Sequence, residues 1–313
     1  LVKTLSASGA VINKLSSHEL PLLIDGKNSE LSARFQLDTS DSSQFLTALL
    51  LLAPTWRAET SIQVEGTGSS SFSDYTLQLL RSIGIRWEQG DANSRSYRLR
   101  NSSRQPHTNS PETDWAAASY WLIISQLTQR ELRMKGLSLN SQQPDAKALL
   151  LYRELGFQFE AEDQAVRVQP PTELPSSIEL DATDFPDLVP GFAIWFALAY
   201  RKFTISGLGR LSKKESNRLE ALQTYFEMLG SELKIGSRAE DIYIGWSGGQ
   251  LQAPSRALPT FGDHRMALTA SLLLTRFKQI QLETPEVVVK SYPNWWEQLH
   301  ENHLLTPLIN IKL

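Results

Sequence analysis

Four cations, Lys214, Arg218, Arg265 and Lys290, recur at the ends of predicted elements. Gly262-Asp263-His264-Arg265-Met266 opens an apolar segment, and Lys213-Lys214-Glu215-Ser216-Asn217-Arg218 opens another. A positive charge in the first turn of a helix opposes the macrodipole unless an anion sits opposite it. Asp263 is a natural N-cap, and Arg265 behind it can grip a carboxylate or phosphate bidentately. Lys214 and Arg218 are four residues apart, the spacing of one helical face, with Glu215 on the adjacent face. Lys290, in Lys290-Ser291-Tyr292-Pro293, follows the β-type run Glu286–Val289 and is placed to point off a strand end. Two carboxylates accompany these cations. Asp187, in Asp184-Phe185-Pro186-Asp187, precedes the most apolar segment of the chain, and Glu215 is the second. A carboxylate at a helix N-terminus is favoured in its ionised form and can accept a proton. Each feature also has a plainer reading: Asp187 as a cap, the lysines as a solvated face, His264 as a partner of Asp263, Lys290 as strand termination.

A second group of residues suits anions without charge. Ser42-Ser43-Gln44 opens a buried helix with two hydroxyls and an amide, more than one cap requires. Gly66-Thr67-Gly68-Ser69-Ser70-Ser71 is either a mobile linker or a loop able to wrap phosphate. His300 and His303 have no third ligand type beside them and read as a surface pair. The pattern suits a substrate bearing several phosphates or carboxylates and a reaction that moves protons.

Composition narrows the classes. Net charge is -3, so no global field draws the chain to nucleic acid or an anionic membrane, and anion affinity has to be local. There are no cysteines, which excludes disulfides, thiolate metal sites and a cysteine nucleophile. The most apolar run, from Leu188 to Tyr200, falls short of the roughly 20 residues of a membrane span.

The elements that carry these residues recur. LVKTLSASGAVI, LQLLRSIGIRWE, LLLYRELGFQFE and YFEMLGSELKI each read as a helix end, a glycine and a short strand. Their glycines, Gly9, Gly84, Gly156 and Gly230, are spaced by 75, 72 and 74 residues. Apolar helices opening near Ser42, Asp114, Asp187 and Asp263 interleave with them. Alternating segments at Ser61–Glu65, Arg98–Arg100, Glu131–Lys135, Ala165–Gln169, Ile178–Asp181, Thr204–Ser206 and Asp241–Gly245 read as strands. The fold class is α+β, built from βαβαββ repeats. The small and polar stretch from Asn101 to Thr113 marks a boundary between a partial domain, residues 1–111, and a nearly complete one, residues 112–313. The first repeat begins at its second helix, so sequence is expected to be missing upstream of Leu1, and uncovered core faces there are expected to favour self-association.

SSQFLTALLLLAP, DWAAASYW, DFPDLVP, KKESNRLEAL, TFGDHRMAL and KSYPNWWEQL occur here in the order found in 3-phosphoshikimate enolpyruvyl transferases (EPSP synthases), and the chain resembles that family from Leu1 to about Leu299. The resemblance implies a two-domain enolpyruvyl transferase fold with its first units missing and a site in the cleft between the domains. It implies a cytoplasmic enzyme, monomeric at full length, without metal or cofactor. That enzyme transfers the enolpyruvyl group of phosphoenolpyruvate to the 5-hydroxyl of shikimate 3-phosphate through a tetrahedral intermediate, releasing phosphate. By motif, Ser42, Ser43, Gln44, Ser69, Asp187 and Lys214 would bind shikimate 3-phosphate, Asp187 also acting as base. Gln44, Arg218, Arg265 and Lys290 would hold phosphoenolpyruvate, and Glu215 would move the methylene proton. Arg210, Asn217 and Phe72 depart from the usual Asn, Asp and Tyr. The family's early Lys-Ser pair and glycine-rich loop find no match, so this chain alone is expected to turn over slowly or not at all. The alternatives are a UDP-N-acetylglucosamine enolpyruvyl transferase, which shares the repeat, and a non-catalytic anion-binding repeat module.

Overall fold

The computed structural model describes residues 1–16, 20–29, 31–40, 42–56, 59–66, 71–90, 95–100, 111–238 and 241–302. The chain divides into two compact units, Leu1–Ser110 and Pro111–Leu313.

In the first unit the order is α1 (Val2–Ala7), β1 (Val11–Lys14), β2 (Leu22–Asp25), β3 (Arg34–Asp38), α2 (Gln44–Trp56), β4 (Glu59–Glu65), α3 (Ser71–Ser82), β5 (Arg86–Gln89) and β6 (Ser96–Arg100). Strands β1 and β2 form an antiparallel pair. The other four form a sheet in the order β3-β4-β6-β5, with β3 parallel to β4 and the remaining pairs antiparallel. Alternation sets which face packs: Phe35, Leu37, Ile62 and Val64 are buried against Leu46, Leu49 and Leu50 of α2 and Leu77 and Leu80 of α3.

The second unit contains α4 (Trp115–Thr128), β7 (Leu132–Lys135), α5 (Ala148–Glu154), β8 (Gln158–Glu162), β9 (Ala165–Gln169), β10 (Ser177–Asp181), α6 (Val189–Leu198), β11 (Lys202–Ser206), α7 (Arg218–Met228), β12 (Lys234–Arg238), β13 (Asp241–Trp246), α8 (His264–Ser271) and α9 (Trp295–Glu301). The sheet β10-β11-β13-β12 has the same order and the same parallel and antiparallel pairs as β3-β4-β6-β5. The sheet β7-β9-β8 is the same arrangement without its first strand among the described residues. The βαβαββ repeat is thus present in register. All four predicted helix-terminating glycines have positive φ: Gly9 at 104°, Gly84 at 88°, Gly156 at 96° and Gly230 at 72°.

Helices α4, α6 and α8 form the centre of this unit. Every residue of α6 and of α8 is buried. Tyr120 of α4 points its hydroxyl at the Arg265 carbonyl, 3.4 Å away, and at Thr269 of α8. A Cβ at Gly191 of α6 would lie 3.2 Å from the Tyr120 ring, so the glycine sets how closely α6 approaches α4. Two indole N–H groups in this core find side-chain acceptors: Trp195 donates to Gln126 at 2.8 Å and Trp121 to Tyr292 at 2.9 Å.

Three local expectations are corrected. The run before Lys290 is not a strand but a 3-10 helix, Pro285–Lys290, with Pro at its start and only Pro285 and Val288 buried, a helical three-residue spacing. The Lys-Lys-Glu-Ser segment is not the first turn of α7, which begins at Arg218 after Asn217 as its cap. Asp187 caps nothing. It lies in a 3-10 turn, Pro186–Leu188, ahead of α6, and makes no side-chain capping bond.

Candidate functional site

Within the second unit, the turn before α6, the loop before α7 and the N-terminus of α8 bring their charged side chains together. Asp263 caps α8, accepting from the Arg265 N–H at 2.9 Å. The same carboxylate accepts from Arg218 Nε at 2.8 Å and Nη2 at 3.2 Å, and from the Ser216 hydroxyl at 2.9 Å. Arg218, only 1% exposed, donates onward from Nη1 to Asp187 at 2.7 Å and from Nη2 to Glu215 at 3.0 Å. Each of those carboxylates has a lysine on its other side: Lys214 Nζ is 3.0 Å from Asp187, and Lys290 Nζ is 2.6 Å from Glu215. Lys214 and Arg218 therefore converge on Asp187 although they do not share a helix.

Arg265 is different. It is 8% exposed, yet its guanidinium makes no hydrogen bond or salt bridge with any described residue. A guanidinium without hydrogen-bond partners keeps its donors free for an arriving anion. Its neighbours keep it charged: burial opposes the charge, while Tyr120, Asp187 and Asp145 favour it.

Protonation states follow from the same geometry. Burial pushes Asp187 up, but Lys214, Arg218 and Arg265 outweigh it and hold the carboxyl well below the usual carboxylate range. Burial likewise raises Glu215 and Asp263, and their bonds to Lys290 and Arg218 respectively leave both lowered. His264 is depressed by burial and by Arg265, so it is neutral at pH 7, and its buried Nδ1 has no partner. Asp145, buried in the 3-10 turn Pro144–Lys147, is pushed up to about 7, chiefly by desolvation.

Ion pairs thus join Asp187, Lys214, Glu215, Arg218 and Lys290, and Arg265 lies close enough to lower Asp187. Sequence reasoning missed the reach of Asp263, which it took only for a cap, and it missed Asp145 altogether. Ser216, directly before Asn217-Arg218 in the KKESNRLEAL motif, was given no role of its own. Asn217 serves α7 well as a cap, its side chain accepting from the Glu220 N–H. In the first unit, Ser42 Oγ accepts from the Gln44 N–H at 3.2 Å, a capping bond that leaves Gln44 exposed at the start of α2. Ser69 and His303 lie outside the described residues. Among the described residues, no cluster of three His, Cys, Asp or Glu side chains could hold a metal ion, and no helix is long and apolar enough to cross a membrane.

Comparison with solved structures gives the class. The chain matches an EPSP synthase from Acinetobacter baumannii with a TM-score of 0.65 at 20% identity, covering 96% of this chain and 69% of that one. It matches the enolpyruvyl transferase NikO from Streptomyces tendae with a TM-score of 0.64 at 16% identity, covering 96% and 70%. The fold is therefore that of the enolpyruvyl transferases. Sequence carries the assignment further: the family model for EPSP synthase (3-phosphoshikimate 1-carboxyvinyltransferase) matches residues 1–299. The 3-phosphoshikimate 1-carboxyvinyltransferase of Bacteroides fragilis is 31% identical over 311 residues, spanning 96% of this chain and 73% of that protein. The Archaeoglobus fulgidus protein of the same name is 30% identical over 306 residues, 96% of this chain and 69% of that protein. The chain belongs to the EPSP synthase family.

Proposed function

We propose that the chain binds phosphoenolpyruvate and shikimate 3-phosphate and transfers the enolpyruvyl group to the 5-hydroxyl of the latter. In this reading Asp187, ionised over the working range, takes the proton of the attacking hydroxyl, and Lys214 stands beside it for the shikimate phosphate. Glu215, ionised in the free protein, takes up a proton from solvent and delivers it to the methylene carbon as the new C–O bond forms. The tetrahedral adduct then loses phosphate, and the methyl proton returns to Glu215. Arg265 and Lys290 hold the phosphoenolpyruvate anion, Arg218 backs them from below, and Ser42, Ser43, Gln44 and Ser69 serve shikimate 3-phosphate.

The observation that carries this reading is Arg265: a buried cation whose guanidinium has no hydrogen-bond partner among the described residues, near two ionised carboxylates. An anion-binding repeat module would account for the cation but leave Asp187 and Glu215 without a role. Titration calorimetry tests the substrate class. Heat with shikimate 3-phosphate and phosphoenolpyruvate, and none with UDP-N-acetylglucosamine, is expected, and the reverse pattern would overturn the proposal. Arg265→Met tests the residue. Losing charge-assisted bonds to the anion is worth at least about 1.5 kcal/mol, roughly tenfold or more in affinity. The melting temperature is expected to change little, because burial opposes the Arg265 charge while Tyr120, Asp187 and Asp145 favour it. A variant that melts lower but binds normally would make Arg265 a structural residue.

A further inference from the structure

Asp263 does far more than a cap needs. Capping uses one acceptor position of one oxygen, yet the two Asp263 oxygens together accept four bonds, and the side chain is fully buried. Two of those bonds come from the Nε–Nη2 edge of Arg218. With that edge fixed, the plane of the guanidinium is fixed, and so are the directions of its remaining N–H groups. One of these meets Asp187 from Nη1 and one meets Glu215 from Nη2. The lysines on the far sides of those carboxylates differ in kind. Lys290 is 59% exposed and Lys214 is 28% exposed, so either can swing toward an arriving anion, while Arg218 at 1% cannot.

We infer that Asp263 is a positioning residue: acting through Arg218, it fixes where the Asp187 and Glu215 carboxylates stand when substrate anions draw the two lysines away. The inference rests on the functional reading above for the roles of those carboxylates. A buried ion pair is a weak source of stability compared with apolar packing of the same volume, so stability alone gives little reason for an Asp–Arg pair here. What the pair does supply is geometry, since a forked guanidinium held along one edge has no freedom left to rotate. The groups facing it are Asp187 from the turn before α6, Lys214, Glu215 and Ser216 from the loop before α7, His264 and Arg265 from α8, and Lys290 from the 3-10 helix that precedes α9. Burial alone would favour a neutral Asp263, and the bonds from Arg218 keep it ionised.

Asp263→Asn is the test. The amide keeps the shape and an acceptor for the cap but sets an N–H against one of the donors it now receives. The first readout is the 15N-detected Nε–H resonance of Arg218, assigned by its loss in Arg218→Lys. It is expected to be slowly exchanging in the parent protein and shifted or lost in Asp263→Asn. The second readout is kcat with saturating phosphoenolpyruvate and shikimate 3-phosphate for Asp263→Asn, Arg218→Lys and the double variant. Each single change is expected to slow turnover by about tenfold or more, and the double variant by little more than the slower single, because residues acting as one unit are not additive. Multiplied losses, or an unchanged Arg218 Nε–H in a folded Asp263→Asn protein, would overturn the inference. Should Asp263→Asn not fold, Ser216→Ala removes one of the four bonds. Faster exchange of the Arg218 Nε–H is then expected, and unchanged exchange refutes the idea. A parent protein that binds neither substrate would sink the functional reading, while the resonance comparison still decides the role of Asp263.

Discussion

Asp145 carries a consequence for pH that its sequence context, Gln143-Pro144-Asp145-Ala146, does not announce. Its carboxyl is buried with no hydrogen-bond partner among the described residues, and desolvation lifts its pKa from 3.8 to about 7, Arg265 and Lys214 opposing and Asp187 and Asp114 assisting. A carboxyl whose folded pKa lies above its unfolded value binds its proton more tightly in the folded chain. Stability is therefore lost as pH climbs from about 4 to about 7 and is lost no further above that, a total on the order of a few kcal/mol. Asp145→Asn abolishes the titration. At pH 8 the variant is expected to melt several degrees above the parent, and at pH 4 the two should melt together. An equal gap at both values would show that Asp145 is ionised throughout. The contrast with Arg265 explains which single residues can be read from sequence. Arg265 breaks a local rule, a cation in a helical first turn, and local rules are written in the sequence. Asp145 breaks only a tertiary one, since its burial comes from packing of the turn Pro144–Lys147 that no neighbouring residue reports. Asp263 obeyed its local rule as a cap, which hid its bonds to Arg218, distant in sequence.

At the scale of elements the repeat was legible because glycines and polar helix starts punctuate it at a fixed period. A finer copy of the same repeat was not noticed there. Asp38 Oδ1 accepts from the N–H and hydroxyl of Ser40 just after β3, and Asp181 Oδ1 accepts from the N–H and hydroxyl of Thr183 just after β10. A glycine ending the neighbouring parallel strand covers each turn: Gly66 after β4 and Gly207 after β11, with φ of 84° and 80°. A Cβ at Gly207 would stand 2.6 Å from the Thr183 backbone nitrogen and 2.6 Å from Asp181 Oδ1. Both positive φ and lack of space demand glycine there. The Gly207 N–H is also bonded, to the Asp241 carboxylate at 3.0 Å. Gly207→Ala is expected to destabilise the second unit by about 2 kcal/mol or more, the left-handed conformation and the clash adding together. Chemical denaturation would measure it, and a loss under about half a kcal/mol would mean that the turn yields. The failures at this scale have a common cause. Val287-Val288-Val289 has strand propensity, but Pro285 and the burial of Val288 select a 3-10 turn, so tertiary contact overrode intrinsic preference. The Lys214-Glu215 segment had helical spacing, but Asn217 offered a better cap three residues on.

For the whole molecule, the two units differ in how well their apolar surface is covered, and this predicts how the chain unfolds. Among the described residues, the buried core of the first unit runs from Phe35 to Leu99, with Leu1 and Leu5 packed against it, and that of the second from Trp115 to Leu299. In the second, the central helices α6 and α8 are buried on all sides, and aromatic rings from Tyr152 to Trp246 form one connected cluster through Phe192, Trp195 and Phe196 of α6. In the first, α2 buries Leu46, Leu49 and Leu50 but leaves Leu51 and Leu52 exposed, and Leu79 and Ile83 at the end of α3 are exposed as well. Leu20, Leu23 and Ile24 around β2 are also in contact with solvent. Apolar area removed from water is the main favourable term in folding, at roughly 25 cal/mol per Å². A unit that leaves this many large apolar side chains uncovered gains correspondingly less, while its backbone ordering costs the same per residue. Differential scanning calorimetry is therefore expected to show two transitions, the first unit melting first. Native-state hydrogen exchange should assign them: amides of β3, β4 and β6 should open at lower free energy than those of β10, β11 and β13, their counterparts in an identical sheet. Adding phosphoenolpyruvate should raise the upper transition, because Arg265, Lys290 and their carboxylate partners all belong to the second unit and a ligand stabilises the unit that binds it. A single cooperative transition, with equal protection in the two sheets, would mean that the two cores do not fold as separate units.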